Sequence, residues 1–408
     1  MSDRTKFFLK IAGFAAVTGI IAWAIYAVFF QKAVTILTTT TPGTTTNGSL
    51  PSANTGTPGT GTTGGTTNDS GTGTQLTPSS IAKGGETITT RLTNTAISSP
   101  TVTADGSVAY YDPADGKFYT IDANGNVVAM SQATFPKAEA VTFDAGATSA
   151  VIEFPDGSNV AYDFSTAKQV TLPSHWEDFS FSATGDSIAA KSVGTDPSNR
   201  ALVVTNTDGT ETKVIASLGA NDDKVSVSWS PNNTVLGFSA TGGSIGGSFG
   251  RQEIYLIGPD GSASGALIVD GTSFHNIWAP DGKHLLYSVA DSENGYKAAL
   301  WYADSKGDRA GESRKKMAVS TLVSKCTFAT NTIVYCGVPR EMSPGDGSDS
   351  SRITADDDLY KIDVSTGNAT LVAVPAVDTK IFSPSISSDG TNFFYTDASG
   401  RLNVIHLK

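Results

Sequence analysis

The chain has 408 residues, which is long for one domain of average size and short for three. Its formal net charge of -11 and its lack of an extended basic cluster argue against a phosphate-binding surface, so we expect no nucleic-acid partner. An apolar content of 39% supports a packed core over only part of the length, and the 42 glycines are typical of short strands joined by tight turns.

The first predicted element is an uncharged apolar segment at residues 11–30. At about 1.5 Å per residue it matches a hydrocarbon core about 30 Å thick. Three basic residues precede it and only Lys32 follows closely, so the positive-inside rule places residues 1–10 in the cytoplasm. We therefore expect a single-pass anchor in the cytoplasmic (inner) membrane, with the rest of the chain extracellular or periplasmic. The alternative is a cleaved signal peptide, which has a shorter apolar region and a small-residue cleavage site.

Residues 31–83 form the next predicted segment, which is dominated by Thr, Gly and Ser. Such a composition offers too little apolar surface to offset the entropy of ordering, so we expect a disordered linker. The linker would hold a folded domain, residues 84–408, away from the membrane.

A repeated pattern fills that domain. A short strand leads to a polar turn and then to an alternating apolar run, which is the signature of a β-hairpin. The turns centre on Gly106, Gly146, Gly185, Asn232, Gly282, Asn331 and Gly390. A second hairpin follows each of the first six, so each repeat supplies four strands. A period of roughly 40–50 residues built from strands predicts an all-β, seven-bladed β-propeller, with six or eight blades as alternatives.

The seventh repeat ends at LNVIHLK without a fourth strand, whereas the segment ETITTRLTNT (86–95) precedes the first hairpin without a partner. Unpaired strand edges promote aggregation. We therefore expect the N-terminal strand to complete the last blade and close the ring. Trp229 and Trp278 stand at equivalent positions before their turns, and we expect both to pack between blades.

The units PTVTADGSVAYY, SWSPNNTVLGFS, IWAPDGKHLLYS and SISSDGTNFFYT resemble the WD-repeat-like propeller repeat of the TolB type, over roughly residues 98–408. The resemblance implies the propeller fold and little about function, because such repeats serve binding proteins and peptidases alike. TolB itself has an α/β domain and six blades, so its partners are not implied here. The overall layout is similar to that of uncharacterised membrane-anchored bacterial propeller proteins.

Three sequence patterns resemble sites of chemistry. Ser244 in GGSIG matches the G-x-S-x-G elbow of hydrolases, but it lies in a Gly-rich loop between strands, with no hydrolase domain after it. The four histidines lack metal-ligand spacing; they are His175, His275, His284 and His406. The acidic segment 344–358 departs from the EF-hand pattern, so a solvated loop is favoured over a calcium site. We expect no catalytic residue, no metal and no cofactor.

Cys326 and Cys336 flank the turn at Asn331 by five residues on each side. In such a hairpin they lie opposite each other, within the distance that a disulfide spans. We expect them to be bonded in an exported domain; the alternative is a pair of buried free thiols.

These observations together predict a membrane-anchored, externally displayed propeller that is not an enzyme. It would act as a binding or scaffolding module for a protein, a glycan or another envelope component. The alternative is an enzyme, a lyase or glycan hydrolase that uses carboxylates around the central channel of the propeller.

Overall fold

The computed structural model describes residues 77–243, 245, 250–305 and 307–408. The predicted cytoplasmic segment 1–10, the predicted anchor and most of the predicted linker lie outside the described residues. Among the residues that are described, no helix is both long enough and apolar enough to cross a membrane.

Seven sheets of at least four strands form the described domain, and six of them use four consecutive strands. Blade 1 comprises β3 Ser98–Val102, β4 Val108–Asp112, β5 Lys117–Ile121 and β6 Val127–Ala129, and blade 2 comprises β7 Ala140–Phe143, β8 Ser149–Glu153, β9 Asn159–Asp163 and β10 Lys168–Leu172. Blade 3 comprises β11 Trp176–Phe181, β12 Ser187–Ser192, β13 Ala201–Asn206 and β14 Lys213–Ser217. Blade 4 comprises β15 Val225–Val227, β16 Gly237–Ser239, β17 Arg251–Ile257 and β18 Ala263–Asp270. Neighbouring strands within each of these sheets are antiparallel.

Blades 5 to 7 continue the series. Blade 5 comprises β19 Thr272–Trp278, β20 His284–Asp291, β21 Lys297–Asp304 and β22 Lys315–Lys316. Blade 6 comprises β23 Cys326–Phe328, β24 Ile333–Pro339, β25 Asp357–Asp363 and β26 Asn368–Pro375. Blade 7 comprises β27 Phe382–Ile386, β28 Asn392–Thr396 and β29 Leu402–His406. The seven-bladed propeller predicted from the repeat is therefore confirmed.

Strand β2 (Thr90–Arg91) supplies the fourth strand of blade 7. It pairs antiparallel with β29, with Thr90 opposite Val404. The predicted closure of the ring is thus correct, but only part of the predicted segment takes part in it. Strand β1 (Gly85–Thr87) instead pairs in parallel with β26 and adds a fifth strand to blade 6.

Residues before the predicted boundary at residue 84 also contact the propeller. The Ser79 carbonyl accepts a hydrogen bond from the Ile88 amide at 2.8 Å, and the Ala82 amide donates to the His406 carbonyl at 2.9 Å. Ala82 also packs against the apolar cluster between blades 6 and 7. Ser79 and Ala82, which fall within the predicted linker, are thus attached to the last two blades.

The core is divided among the interfaces between blades, and each of the seven interfaces has its own apolar cluster. Trp278 of blade 5 packs against Phe238 of blade 4 with ring centroids 5.3 Å apart. Trp229 packs in the cluster between blades 3 and 4. Both tryptophans thus pack between blades, as predicted.

The Pro280-Asp281-Gly282 turn joins neighbouring blades as well as two strands. Gly282 has φ +64°, and a Cβ there would lie 2.5 Å from the Asn232 amide nitrogen in the turn of blade 4. The Asp281 amide donates to Asn331 Oδ1 at 2.9 Å in the turn of blade 6. A glycine in the left-handed backbone conformation is needed here, because the neighbouring turn leaves no room for a Cβ.

Candidate binding site at the central channel

The first strand of each blade is the innermost, because consecutive first strands contact each other in several places around the ring. Four of these strands contain a β-bulge with a residue at positive φ. The residues are Ser99, Asp178, Ser273 and Ser383, with φ of 53°, 57°, 54° and 43°. Bulges redirect side chains, and left-handed conformations of ordinary residues are costly. Four of the inner strands therefore depart from regular β-strand geometry, each at its bulge.

A cavity of about 480 Å³ opens among the inner strands of blades 4 and 5 and the segments that enter blade 6. Its walls are residues 226–228 of blade 4, residues 274–277 of blade 5, residues 322–324, and residues 347–350 of the long connection within blade 6. This volume lies within the range of about 300–1,000 Å³ that is typical of small-molecule sites.

The fourth wall of the cavity belongs to the acidic segment 344–358, which was predicted to be a solvated loop. That prediction is wrong for part of the segment, which folds back over blade 5: Asp346, Gly347 and Ile353 are buried, whereas residues 348–352 are exposed. Met342 and Ile353 are buried with Ala298 and Leu322. The Gly347 amide donates to the Tyr296 carbonyl at 2.9 Å, and a Cβ at this glycine would lie 2.6 Å from the Ala298 amide nitrogen.

Hydroxyl, amide and imidazole groups line the cavity. Ser226 and His275 are exposed on the inner strands, and Phe274 contributes a half-buried ring. The Asn276 side-chain nitrogen is buried and has no hydrogen-bond partner within the described structure. Two serines of the lining are already engaged, since Ser228 accepts from Trp278 Nε1 at 2.9 Å and Ser288 accepts from the Val323 amide at 3.1 Å.

Asp349 is the acidic group of the lining. Its Oδ1 accepts a hydrogen bond from the Ser351 amide at 2.8 Å. This bond, together with the nearby charge of Arg352, lowers the pKa of Asp349 below its usual value. The carboxylate therefore stays ionised at neutral pH. No Lys or Arg stands among the described residues that line the cavity.

A second group of charges lies at the inner edge of blades 2 to 4. Lys191 Nζ lies 3.3 Å from Glu177 and 3.6 Å from Asp178. Asp178 also accepts a hydrogen bond from the Val227 amide at 2.8 Å, which ties blade 3 to blade 4. Burial raises the pKa of Asp178, and burial beside Asp178 and Glu177 raises the pKa of Glu153.

The residues singled out from the sequence are not brought together. Ser244 lies outside the described residues. His284 sits between Asp281 and Asp304, at 3.0 and 2.9 Å, and His406 lies 2.7 Å from Asn392. Within the described part of the chain, no three His, Cys, Asp or Glu side chains form a group able to hold a metal ion.

Cys326 and Cys336 are register partners in the first hairpin of blade 6. Their Cα atoms lie 4.1 Å apart and their sulfur atoms are bonded at 2.17 Å. The two side chains are buried at the interface of blades 5 and 6. Oxidation of this pair in the cell stays a prediction.

Next to this hairpin lies a fully buried ion pair. Lys325 Nζ lies 2.5 Å from Asp357 Oδ2, and the two side chains are 2% and 0% exposed. Asp357 also accepts from the Ile381 amide at 2.7 Å, so blades 6 and 7 meet there. Asp357 is thus internal, although it belongs to the acidic segment 344–358, which is exposed over residues 348–352.

Sequence reasoning missed the cavity. His275 is one of the four histidines without metal-ligand spacing, and the serines belong to no motif. One signal was available: the connection at residues 340–356 is long and contains the apolar residues Met342 and Ile353. Apolar residues in a long loop indicate packing onto the domain, and such loops often form binding sites.

Comparisons with known proteins identify the fold only. No family model matches the chain. No curated protein matches it either. An oligogalacturonate lyase solved in complex with manganese has a TM-score of 0.52 and 14% identity, covering 78% of this chain and 93% of its own. A second oligogalacturonate lyase, from Vibrio parahaemolyticus, has a TM-score of 0.53 and 11% identity at the same coverage. This chain shares their propeller fold. The TolB-type resemblance stays a prediction.

Proposed function

We propose that the propeller is a binding module whose ligand occupies the cavity among blades 4, 5 and 6. The observation that carries the proposal is the cavity itself, about 480 Å³ in volume and bounded partly by a loop folded back from blade 6. Its exposed polar groups, His275, Asp349 and Ser226 among them, are free to bind an external partner. Polar groups that converge on a concave site are typical of ligand recognition.

The proposal places this module outside the cell, anchored by residues 11–30, with an envelope component as its partner. Support for the location comes from the sequence: a charge-free segment of membrane-spanning length with basic residues before it. The bonded geometry of Cys326 and Cys336 is consistent with an oxidising compartment.

The test is capture of native cell-envelope material by the full-length chain, compared with two variants that fill the cavity. His275→Trp and Ser350→Trp place an indole at exposed positions of the lining, so they should abolish capture without unfolding the domain. Asn124→Trp is the matched control, because Asn124 is exposed in a turn between the third and fourth strands of blade 1, at the opposite end of the propeller. If both filled variants capture the same material as the wild type, the cavity is not the binding site.

A second candidate function is the enzymatic alternative, a lyase or glycan hydrolase. One observation favours it: Asp178 lies on the inner strand β11 and acts on the neighbouring Glu153, and burial raises the pKa of both. A carboxyl group with a raised pKa is suited to proton transfer at neutral pH. The likeness to oligogalacturonate lyases adds nothing to this argument, because identities of 11–14% support the fold alone.

Incubation with a panel of polysaccharides separates the two candidates. An enzyme would shorten the chains, and Glu153→Gln would stop the reaction while leaving the fold intact. A binding module would retain the polysaccharide at its original length.

A further inference from the structure

The lining of the cavity also restricts the chemistry of its ligand, and this inference rests on the proposed binding function. Four serines of the lining have exposed hydroxyls with no hydrogen-bond partner among the described contacts; they are Ser226, Ser324, Ser348 and Ser350. A hydroxyl both donates and accepts hydrogen bonds, so a set of them suits a ligand that carries many hydroxyls itself.

Phe274 gives the same cavity an apolar surface. Its ring is half-buried and is held in place by Phe238 and Tyr287, with centroids 5.5 and 5.6 Å away. An aromatic ring that is fixed by its neighbours presents an apolar face at little cost in side-chain entropy. A ring surface beside free hydroxyls matches the two sides of a sugar, which has C–H faces and an equatorial rim of hydroxyls.

The charge of the lining distinguishes acidic ligands from uncharged ones. Asp349 is ionised, and no described residue of the lining is a Lys or an Arg. The nearest buried cation, Lys325, is paired with Asp357 and is only 2% exposed. The guanidinium of Arg352 lies against Gly345 rather than in the lining. A carboxylate that entered the cavity would lose water without gaining a Lys or Arg partner, and it would share the cavity with Asp349.

We propose that the cavity binds a sugar that carries no acidic group and discriminates against uronic acids. A sugar of this kind satisfies the serine hydroxyls and the Phe274 ring without placing a second negative charge beside Asp349. The specificity would therefore differ from that named for the similar lyases, whose oligogalacturonate carries a carboxylate on each residue.

The experiment measures competition for the captured envelope material on the full-length chain. The competitors are oligosaccharides in matched pairs, in which each acidic oligomer is compared with its methyl-esterified or carboxyl-reduced form. Neutral and amino-sugar oligomers are tested as well. At least one uncharged or amino-bearing oligomer should compete, and its acidic counterpart should be at least about tenfold weaker, because it brings an unpaired carboxylate into the cavity.

Two variants sharpen the result. Asp349→Asn keeps an acceptor for the Ser351 amide and removes the charge, so it should narrow the difference between acidic and neutral competitors and weaken any amino-sugar preference. Ser348→Lys adds a cation to the lining and should improve competition by acidic oligomers. The filled variant His275→Trp should show no capture at all.

The outcomes separate this inference from the proposed function. If capture depends on the cavity but only acidic oligomers compete with it, or no sugar competes, the inference is wrong and the binding function stands. Capture that is unchanged when the cavity is filled overturns both.

Discussion

Breaking the buried ion pair between Lys325 and Asp357 should cost more stability than breaking any exposed pair in the domain. At a separation of 2.5 Å the attraction is about 7 kcal/mol with an effective dielectric constant of about 20. Removal of each ion from water costs several kcal/mol, so the pair contributes little in total. The pKa directions agree, since burial lowers the pKa of Lys325 and raises the pKa of Asp357 in spite of their mutual attraction.

The variant Lys325→Met leaves Asp357 as an unpaired buried charge and should lower the free energy of unfolding by about 3–5 kcal/mol. The double variant Lys325→Met/Asp357→Asn removes that charge and keeps an acceptor for the Ile381 amide, so it should recover most of the loss. Unfolding by denaturant, followed by fluorescence, gives both values, and the single variant Asp357→Asn completes the cycle that yields the coupling energy.

The matched control is Lys316→Met, which breaks an ion pair of 3.0 Å with Asp291 where the Lys side chain is 49% exposed. It should cost at most about 1 kcal/mol. A double variant as unstable as Lys325→Met alone would refute the reasoning, because the loss would then come from packing and not from the orphaned charge.

Three further predictions concern closure, the disulfide and pH. A chain that begins at residue 77 should melt like the full-length protein, whereas one that begins at residue 97 loses β2 and should melt much earlier or aggregate; equal melting temperatures would contradict closure by that strand. Peptide mass spectrometry without reduction should find Cys326 linked to Cys336, and full alkylation of both thiols in the native state would exclude the bond. Hydrogen bonds from Ser387 and Thr391 lower the pKa of Asp389 to about 2, so its contribution to stability is complete above the unfolded value of 3.8 and disappears as the pH falls through about 2. The stability difference between wild type and Asp389→Ala should therefore shrink on acidification; a difference that stays constant down to pH 2 would rule this out.

The repeat made the fold predictable because each blade carries its own hairpin turns. Gly106, Gly185, Gly282 and Gly390 take positive φ in their turns, and the apolar runs that follow pack at the interfaces between blades. The closing strand could be predicted from counting alone, since blade 7 lacked one strand. The sequence could not predict that this segment divides into two strands that join different blades. The parallel pairing of Gly85–Thr87 with β26 depends on contacts distant in the sequence.

The candidate site was harder to predict for a physical reason. The polar groups of the cavity come from three blades, and serines on inner strands look no different from serines elsewhere. The bulges at Asp178 and Ser273 also change which side chains point inward, and nothing in the local sequence requires them. Long-range assembly, rather than local pattern, creates the site.

Hydrogen–deuterium exchange of the full-length chain, with and without the captured envelope ligand, tests the central claim most directly. Binding at the cavity predicts slower amide exchange in residues 226–228, 274–277 and 346–350, with unchanged exchange in the turns at the opposite end of the propeller. Protection confined to those turns, or to the outer strands of the blades, would contradict the assignment of the cavity as the binding site.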